Sequence, residues 1–133
     1  MKAMALRAPG GLDRIVCENR PDPGQPGPGE IRVALHGGSI NYHDLNVATG
    51  KMRSEDGRIL LADGAGVVEA VGPDVLEFAA GDSVVSCFFP DWHNGGPKVA
   101  DFKRTPGDGI DGFAQEYVVL PATAFTHAPK AYN

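Results

Sequence analysis

The stretch that decides the fold runs from residue 62 to residue 72 and has the sequence ADGAGVVEAVG. It is rich in β-branched valine and flanked by glycine, which is typical of a short strand. Glycines inside such a pattern mark a bulge or a place where another backbone segment approaches closely. We therefore predict a strand over residues 64–72 with one of these features at its glycines.

Similar short apolar runs lie on both sides of this stretch and are separated by turn residues. The pattern indicates an all-β barrel or sandwich, with further strands over residues 2–7, 14–18, 30–35, 83–89 and 114–120.

The segments between these runs are predicted as one helix and several loops. Residues 41–50 are the one plausible helix, of one or two turns, which Gly50 would close. Residues 51–58 are charged and loop-like, and residues 90–112 form a long polar loop. Residues 21–29 hold four prolines and form a rigid surface connection, because proline cannot donate to a ladder.

Composition and charge exclude several classes of protein. The 133 residues include 18 glycines and 11 prolines, about twice the usual share, which excludes a long helix or coiled coil and favours one compact domain. The net charge is −5 and the basic residues are scattered, so we expect neither a nucleic acid nor an anionic membrane as partner.

Targeting signals and cysteines bear on the compartment. No apolar run is long enough for a membrane span, and the first residues lack the pattern of a signal peptide. Cys17 and Cys87 lie far apart in apolar stretches, where a thiol behaves as a small hydrophobic group. A reducing compartment fits, although a disulfide stays open as an alternative. We predict a cytoplasmic protein.

Residues 107–112 have the sequence GDGIDG, which matches the dinucleotide-binding pattern G-x-G-x-x-G. That pattern binds pyrophosphate only where it joins a strand to a helix. Here no strand precedes it, a strand-like segment follows it, and its two aspartates would repel phosphate. We predict a glycine-rich hairpin or loop instead.

Four stretches taken in order point to a family: SINYHD at 39–44, the opening stretch at 62–72, AGDSVV at 80–85 and DGFAQEYVV at 111–119. Together they resemble the N-terminal, GroES-like domain of the medium-chain dehydrogenases/reductases. The resemblance extends from Met1 to about Pro129. It implies a mainly β fold, a GroES-like β-barrel of short strands with a short helix.

The sequence departs from the zinc alcohol dehydrogenases of that family at the metal positions. Asn41 stands where those enzymes have a catalytic Cys, Ala62 where they have a His, and Asp63 where a Glu follows it. Residues 90–112, where they carry a four-cysteine lobe, contain no cysteine. A zinc site needs three or four suitable ligands. The pattern is therefore similar to the zinc-independent branch, which includes quinone reductases, and implies no metal.

The resemblance also implies partners. Members of the family carry a Rossmann domain after this one, and the nicotinamide of NAD or NADP lies in the cleft between the two. We therefore expect residues 1–133 to be the substrate-side domain of a longer protein. Its implied partners are a small-molecule substrate, the Rossmann domain absent from this chain and, as one option, a second copy in a homodimer.

Three adjacent residues are the candidate catalytic groups. The Asn41 amide could hold a substrate carbonyl or the nicotinamide carboxamide, and its alternative role is to cap the helix. Tyr42 could donate a proton to a developing alkoxide or enolate, and otherwise packs as an aromatic residue. His43 stands where the zinc enzymes begin a proton relay, and is otherwise a solvated surface residue.

Three further residues are predicted to support the site. Asp44 is expected to orient the segment through hydrogen bonds. Asp63 lies where relatives have a supporting carboxylate, or else caps a turn. Trp92, Phe88 and Phe89 could line the apolar wall of the substrate cleft. The alternatives are a place in the core for the two phenylalanines, which we prefer, and a lid-like position for Trp92.

The full-length protein is thus expected to move a hydride between NAD(P)H and a carbonyl, alcohol, quinone or conjugated C=C bond. Asn41 and Tyr42 would stabilise the developing oxyanion in place of a metal. Residues 1–133 alone are expected to be inactive. The alternatives are a free-standing, non-enzymatic GroES-like binding or co-chaperonin-type module, and a metal-dependent dehydrogenase with displaced ligands.

Overall fold

The computed structural model describes residues 1–92, 94–96 and 104–130. Within these ranges the chain forms short strands, two single-turn 3-10 helices (Leu12–Arg14 and Ala122–Ala124) and one α-helix, α1 (Tyr42–Ala48). The strands are β1 (Lys2–Leu6), β2 (Ile15–Asn19), β3 (Glu30–Gly37), β4 (Arg58–Ile59), β5 (Ala65–Val71), β6 (Ser83–Ser86), β7 (Tyr117–Pro121) and β8 (Phe125–His127).

The strands form two antiparallel sheets. One has three strands in the order β2-β1-β4, and the other has five in the order β7-β3-β5-β6-β8. The mainly β, GroES-like fold with one short α-helix that the sequence predicted is confirmed. No described helix has the length and apolar character needed to cross a bilayer.

The two features that the sequence predicted for β5, an irregular register and a close backbone approach, both occur at Gly66. The register between β3 and β5 shifts twice, between Arg32 and Val33 and again between Leu35 and Gly37. A Cβ atom on Gly66 would lie 2.0 Å from the carbonyl oxygen of Ala34, so no larger residue fits without moving the backbone. The opening stretch therefore packs directly against β3.

Two apolar clusters stabilise the fold. The larger one includes Ile31 and Val33 of β3 and Val68 of β5, in the five-stranded sheet, and each of these residues is at most 1% exposed. The smaller one lies under α1 and joins Val47 of the helix to Leu6 and Leu60. Because burial of apolar surface is the main driving force for packing, this second cluster holds α1 against the three-stranded sheet.

The strand predicted over 114–120 begins later than expected, at Tyr117. Residues 112–116 instead connect the two sheets through backbone hydrogen bonds. The Phe113 amide donates to the Leu61 carbonyl (2.9 Å), the Ala114 amide to the Leu60 carbonyl (2.8 Å), and the Leu35 amide to the Glu116 carbonyl (2.9 Å). This segment therefore joins β3 to residues 60–61.

Other element predictions were wrong in detail. The strand predicted over 83–89 ends at Ser86, and the loop predicted over 51–58 runs into β4 at its last residue. β8 was missed, although it completes the larger sheet beside β6. Strands of two or three residues show no alternation that a sequence pattern could detect.

The G-x-G-x-x-G segment forms a turn that packs on the backbone of Leu60 and Leu61. Gly107 has φ of 90°, a conformation that favours glycine, and a bridge joins Pro106 to Ile110. A Cβ atom on Gly112 would lie 2.2 Å from the carbonyl oxygen of Leu61. The glycines therefore allow close backbone contact, and the segment leads into a sheet connection rather than into a helix.

A nearly buried arginine fastens the proline-rich connection to the larger sheet. Arg32, with its side chain 11% exposed, pairs with Asp22 (2.6 Å) and Glu69 (2.8 Å) and lies 4.6 Å from the Tyr117 ring centroid. The Arg32 guanidinium hydrogen-bonds to the Asp22 carboxylate and lowers its pKa to about 2. The two carboxylates in turn raise the pKa of Arg32.

The two cysteines are both free, and they differ in environment. Cys17 is exposed on β2, although the sequence around it is apolar. Cys87 is partly buried, and burial raises the pKa of its thiol.

Candidate active site

Asp44 fixes the start of α1 against the chain segment that follows β4. Asp44 is only 5% exposed, and one of its carboxylate oxygens accepts a hydrogen bond from the Asn41 backbone amide (2.7 Å). The other oxygen accepts the backbone amide of Ala62 (2.8 Å). Asp44 therefore orients two segments that carry candidate site residues, and its position leaves it no open approach to a substrate.

Asn41 occupies the N-cap position of α1 and also joins a surface cluster of polar side chains. Its amide nitrogen donates to Asp63 (2.5 Å) and to the hydroxyl of Ser39 (3.3 Å), and Ser39 donates to Asp63 (2.8 Å). We call Ser39, Asn41 and Asp63 the amide cluster. The amide nitrogen of Asn41 is thus engaged in this cluster, and its carbonyl oxygen faces the Asp44 backbone amide in a capping box and lies 3.5 Å from the Ser39 hydroxyl.

Tyr42 projects from the first turn of α1 with 74% of its surface exposed. The alternative that this ring packs into the protein is therefore wrong. Ile40, at 83%, is also exposed beside it. The start of α1 thus presents a phenol and an apolar side chain next to the polar amide cluster.

His43 is partly enclosed, with its side chain 19% exposed, so the alternative of a solvated surface residue is wrong. Its ring stands edge-on to Phe88, with centroids 5.3 Å apart. Its Nε2 atom lies 3.6 Å from a carboxylate oxygen of Asp108. The sequence did not suggest this contact, since Asp108 lies in the glycine-rich turn far along the chain.

A row of aromatic rings links His43 to Trp92. Phe88 contacts Phe89 with centroids 4.7 Å apart, and Phe89 contacts Trp92 at 6.4 Å. Both phenylalanines are half-buried and lie outside the two core clusters, so the expectation that they belong to the core was wrong. Trp92 is 45% exposed at the open end of this row.

The residues at the family's metal positions do not fit a zinc ion. Ala62 is fully buried and has no ligand atom, and the Asn41 amide nitrogen is bonded to Asp63. Over the described ranges, no group of three or more His, Cys, Asp or Glu side chains could hold a metal. Asp91 pairs with Arg104 (2.8 Å), and His93, which follows it by two residues in the sequence, lies outside the described residues.

The structure thus brings Asn41, Asp44 and Asp63 together, and links His43 to Trp92 through aromatic contacts. Sequence reasoning did not single out two residues that take part, Ser39 and Asp108. Ser39 could have been found, because it is two residues before Asn41 in the same motif. Asp108 gave no local signal, because only the folded chain brings it to the helix.

Comparison with known proteins places these observations in a family. Residues 27–130 match the alcohol dehydrogenase GroES-like domain. A zinc-type alcohol dehydrogenase-like protein of Schizosaccharomyces pombe is 39% identical over 122 residues, which cover 90% of this chain and 35% of that protein.

Two crystal structures show the same likeness. An NAD-dependent alcohol dehydrogenase is 34% identical with a TM-score of 0.79, covering 100% of this chain and 41% of that one. A quinone oxidoreductase of Pseudomonas syringae pv. Tomato DC3000 is 26% identical with a TM-score of 0.71, covering 99% and 34%. The chain spans between a third and about two-fifths of the length of these relatives. It belongs to the family of alcohol dehydrogenase GroES-like domains, whose relatives are oxidoreductases.

Proposed function

We propose that this chain is the substrate-side domain of a zinc-independent, NAD(P)H-dependent medium-chain oxidoreductase. The reaction is hydride transfer between a nicotinamide and a carbonyl, alcohol, quinone or activated C=C bond. One observation carries the proposal: the amide cluster and the exposed Tyr42 lie at the start of α1, while the family's metal-ligand position holds the buried, ligand-free Ala62.

Tyr42 takes the role of hydrogen-bond and proton donor to the substrate oxygen. A nicotinamide cofactor would supply the hydride itself, and the protein must stabilise the negative charge that develops on oxygen. The Tyr42 phenol is an exposed hydroxyl donor on the residue that follows Asn41. General acid catalysis of this kind contributes about 10²- to 10⁴-fold to a rate.

Asn41 takes a different role from the one expected from sequence. Because its two amide protons bind Asp63 and Ser39, it is a poor donor to an oxyanion. Its carbonyl oxygen faces the Asp44 backbone amide, but an amide oxygen has two lone pairs and can also accept the N–H of a nicotinamide carboxamide. In this proposal Asp63 fixes the orientation of the Asn41 amide, and Asp44 holds the helix start that carries it.

The aromatic row supplies the apolar side of the substrate site. Ligand sites are lined mostly by apolar and aromatic groups with a few polar ones. Trp92 and Phe89 form such a wall beside His43. This arrangement favours an apolar carbonyl compound, quinone or enone as the substrate.

The test needs the complete protein, expressed with whatever polypeptide the reading frame encodes after Asn133. Oxidation of NADPH and NADH is followed with quinone, enone and aldehyde acceptors, and zinc content is measured in the same preparation. We expect turnover without stoichiometric metal and without inhibition by chelators. One zinc per chain, with activity lost on its removal, would overturn the zinc-independent assignment.

The variant Tyr42→Phe tests whether the phenol of Tyr42 donates the proton, because it removes only the hydroxyl group. We expect kcat to fall about 100-fold with little change in KM, because the variant keeps the ring and loses only the proton. Tyr117→Phe is the matched control, because Tyr117 lies against Arg32 in the larger sheet. Equal activity of the Tyr42 variant and wild type would rule out the donor role.

Residues 1–133 alone should bind dinucleotide negligibly, since the cofactor is expected to contact mainly the other domain. Calorimetric titration with NADPH is the measurement. A dissociation constant in the micromolar range would contradict this part of the proposal.

A further inference from the structure

Asp108 lies in the glycine-rich turn with its side chain directed at α1. The side chain is 14% exposed, and one of its oxygens accepts the backbone amide of Gly109 (2.7 Å). The same oxygen lies 3.6 Å from Nε2 of His43. The turn therefore fixes the carboxylate against one particular nitrogen of the imidazole.

That nitrogen has no other partner among the described residues. Nε2 of His43 is enclosed and makes no hydrogen bond within the geometric limit. Phe88 covers an edge of the ring, and the neighbouring Asp44 is occupied by two backbone amides. Asp108 is thus the charged side chain that the described structure places against His43. A carboxylate at this distance interacts more favourably with a positively charged ring than with a neutral one.

Asp108 also borders a wide groove whose lining does not include His43. The groove has a volume of about 1030 Å³ and is open to solvent, and its walls include Arg53, Ser54 and Arg58. Asp108 therefore lies between a partly enclosed histidine at the start of α1 and a region that water can enter.

We propose that Asp108 is a positioning residue that holds His43 as a charged proton reserve for the site. This rests on the proposed reductase function. Each reduction of a C=O bond takes a hydride from NAD(P)H at carbon and a proton at oxygen. Tyr42 gives its proton to the substrate oxygen, and the His43 imidazolium then returns a proton to Tyr42 and becomes neutral. It then regains a proton from water, with Asp108 stabilising the recharged ring.

The pairing itself is tested without any turnover, by a double-mutant cycle on the unfolding of this chain. The variants are His43→Gln, Asp108→Asn and the double variant, measured in urea at pH 5.5 and pH 9. We expect coupling that changes the folding equilibrium constant about three- to tenfold at pH 5.5 and is absent at pH 9, where imidazole is neutral. No coupling at pH 5.5, or equal coupling at both pH values, would overturn the pairing.

The catalytic consequence is tested in the complete protein. In the direction of NAD(P)H oxidation, Asp108→Asn should lower kcat about tenfold with KM unchanged, and should move the alkaline fall of kcat to lower pH. Asp111→Asn is the matched control from the same turn, because Asp111 contacts Arg58 and the Ile59 amide instead of His43.

The outcomes separate the two proposals. A pH profile of Asp108→Asn that runs parallel to the wild-type profile would refute the proton-reserve role, even if the residues are coupled. Absence of turnover in the wild-type protein would refute the proposed function and this role with it, whereas the cycle would still decide whether His43 and Asp108 pair.

Discussion

Replacing Asp44 by alanine should destabilise the fold strongly, although Asp44 is expected to touch no substrate. The change leaves the buried Ala62 amide without an acceptor, which costs about 1–3 kcal/mol. It also removes the acceptor of the Asn41 amide at the helix start, worth about 0.5–2 kcal/mol. Together these two losses lower the free energy of unfolding by about 1.5–5 kcal/mol, with a central value near 3 kcal/mol.

Urea denaturation followed by far-ultraviolet circular dichroism measures this loss. Small proteins lose about 1–3 kcal/mol of stability per molar urea, so the midpoint should fall by about 1–2 M. Asp44→Asn keeps one acceptor oxygen, and its midpoint should lie between those of wild type and the alanine variant. Asp63→Ala is the control, because the hydrogen bonds of Asp63 are exposed and should contribute less than about 1 kcal/mol.

One result would refute this reasoning. If Asp44→Ala lost no more stability than Asp63→Ala, the two hydrogen bonds of Asp44 would not hold α1 to the segment after β4. The helix would then depend on the apolar cluster beneath it alone.

Three further outcomes follow from the packing and the charges. Gly112→Ala should lose about 3 kcal/mol or fail to fold, because its Cβ would lie 2.2 Å from a backbone oxygen, whereas Gly37→Ala, with open space around it, should unfold near wild type in urea. The depressed pKa of Asp22, about 2, means that its stabilising pair is intact above pH 4 and is lost as pH falls towards 2. Wild type should therefore lose stability more steeply over that range than Asp22→Asn, and equal slopes would contradict this. Finally, Cys17 should react with a thiol reagent faster than Cys87, whose pKa is raised by burial; if Cys17→Ser kept the fast phase, this order would be wrong.

The strands that the sequence predicted each carry a local sequence pattern. β3 was found because the apolar residues Ile31 and Val33 alternate along the sequence with polar Arg32 and its neighbours, and β5 because it is rich in β-branched valine between glycines. β4 and β8 were missed because they are too short to alternate, and their pairing partners lie far away in the chain. These two strands form because they pair with β1 and β6, and not because of a pattern in their own residues.

In the candidate site, too, the contacts between residues close in sequence could be predicted and those between distant residues could not. The three-residue spacing from Asn41 to Asp44 is a local signal, and the structure has a helix that begins there. The distance from Asp44 to Ala62, and that from His43 to Asp108, depend on how the sheets pack. No pattern within a few residues of His43 could have indicated that a carboxylate from the glycine-rich turn would face it.

The bond between Asp44 and the Ala62 amide has a consequence for how such a domain can diversify. The helix start is tied to position 62 through a backbone donor, so the tie does not depend on which side chain that position carries. The hydrogen bond to Asp44 therefore survives a substitution at position 62 wherever the new side chain can be accommodated at this buried site. A domain built in this way can gain or lose a ligand side chain at position 62 by point substitution, and its chemistry can change faster than its architecture.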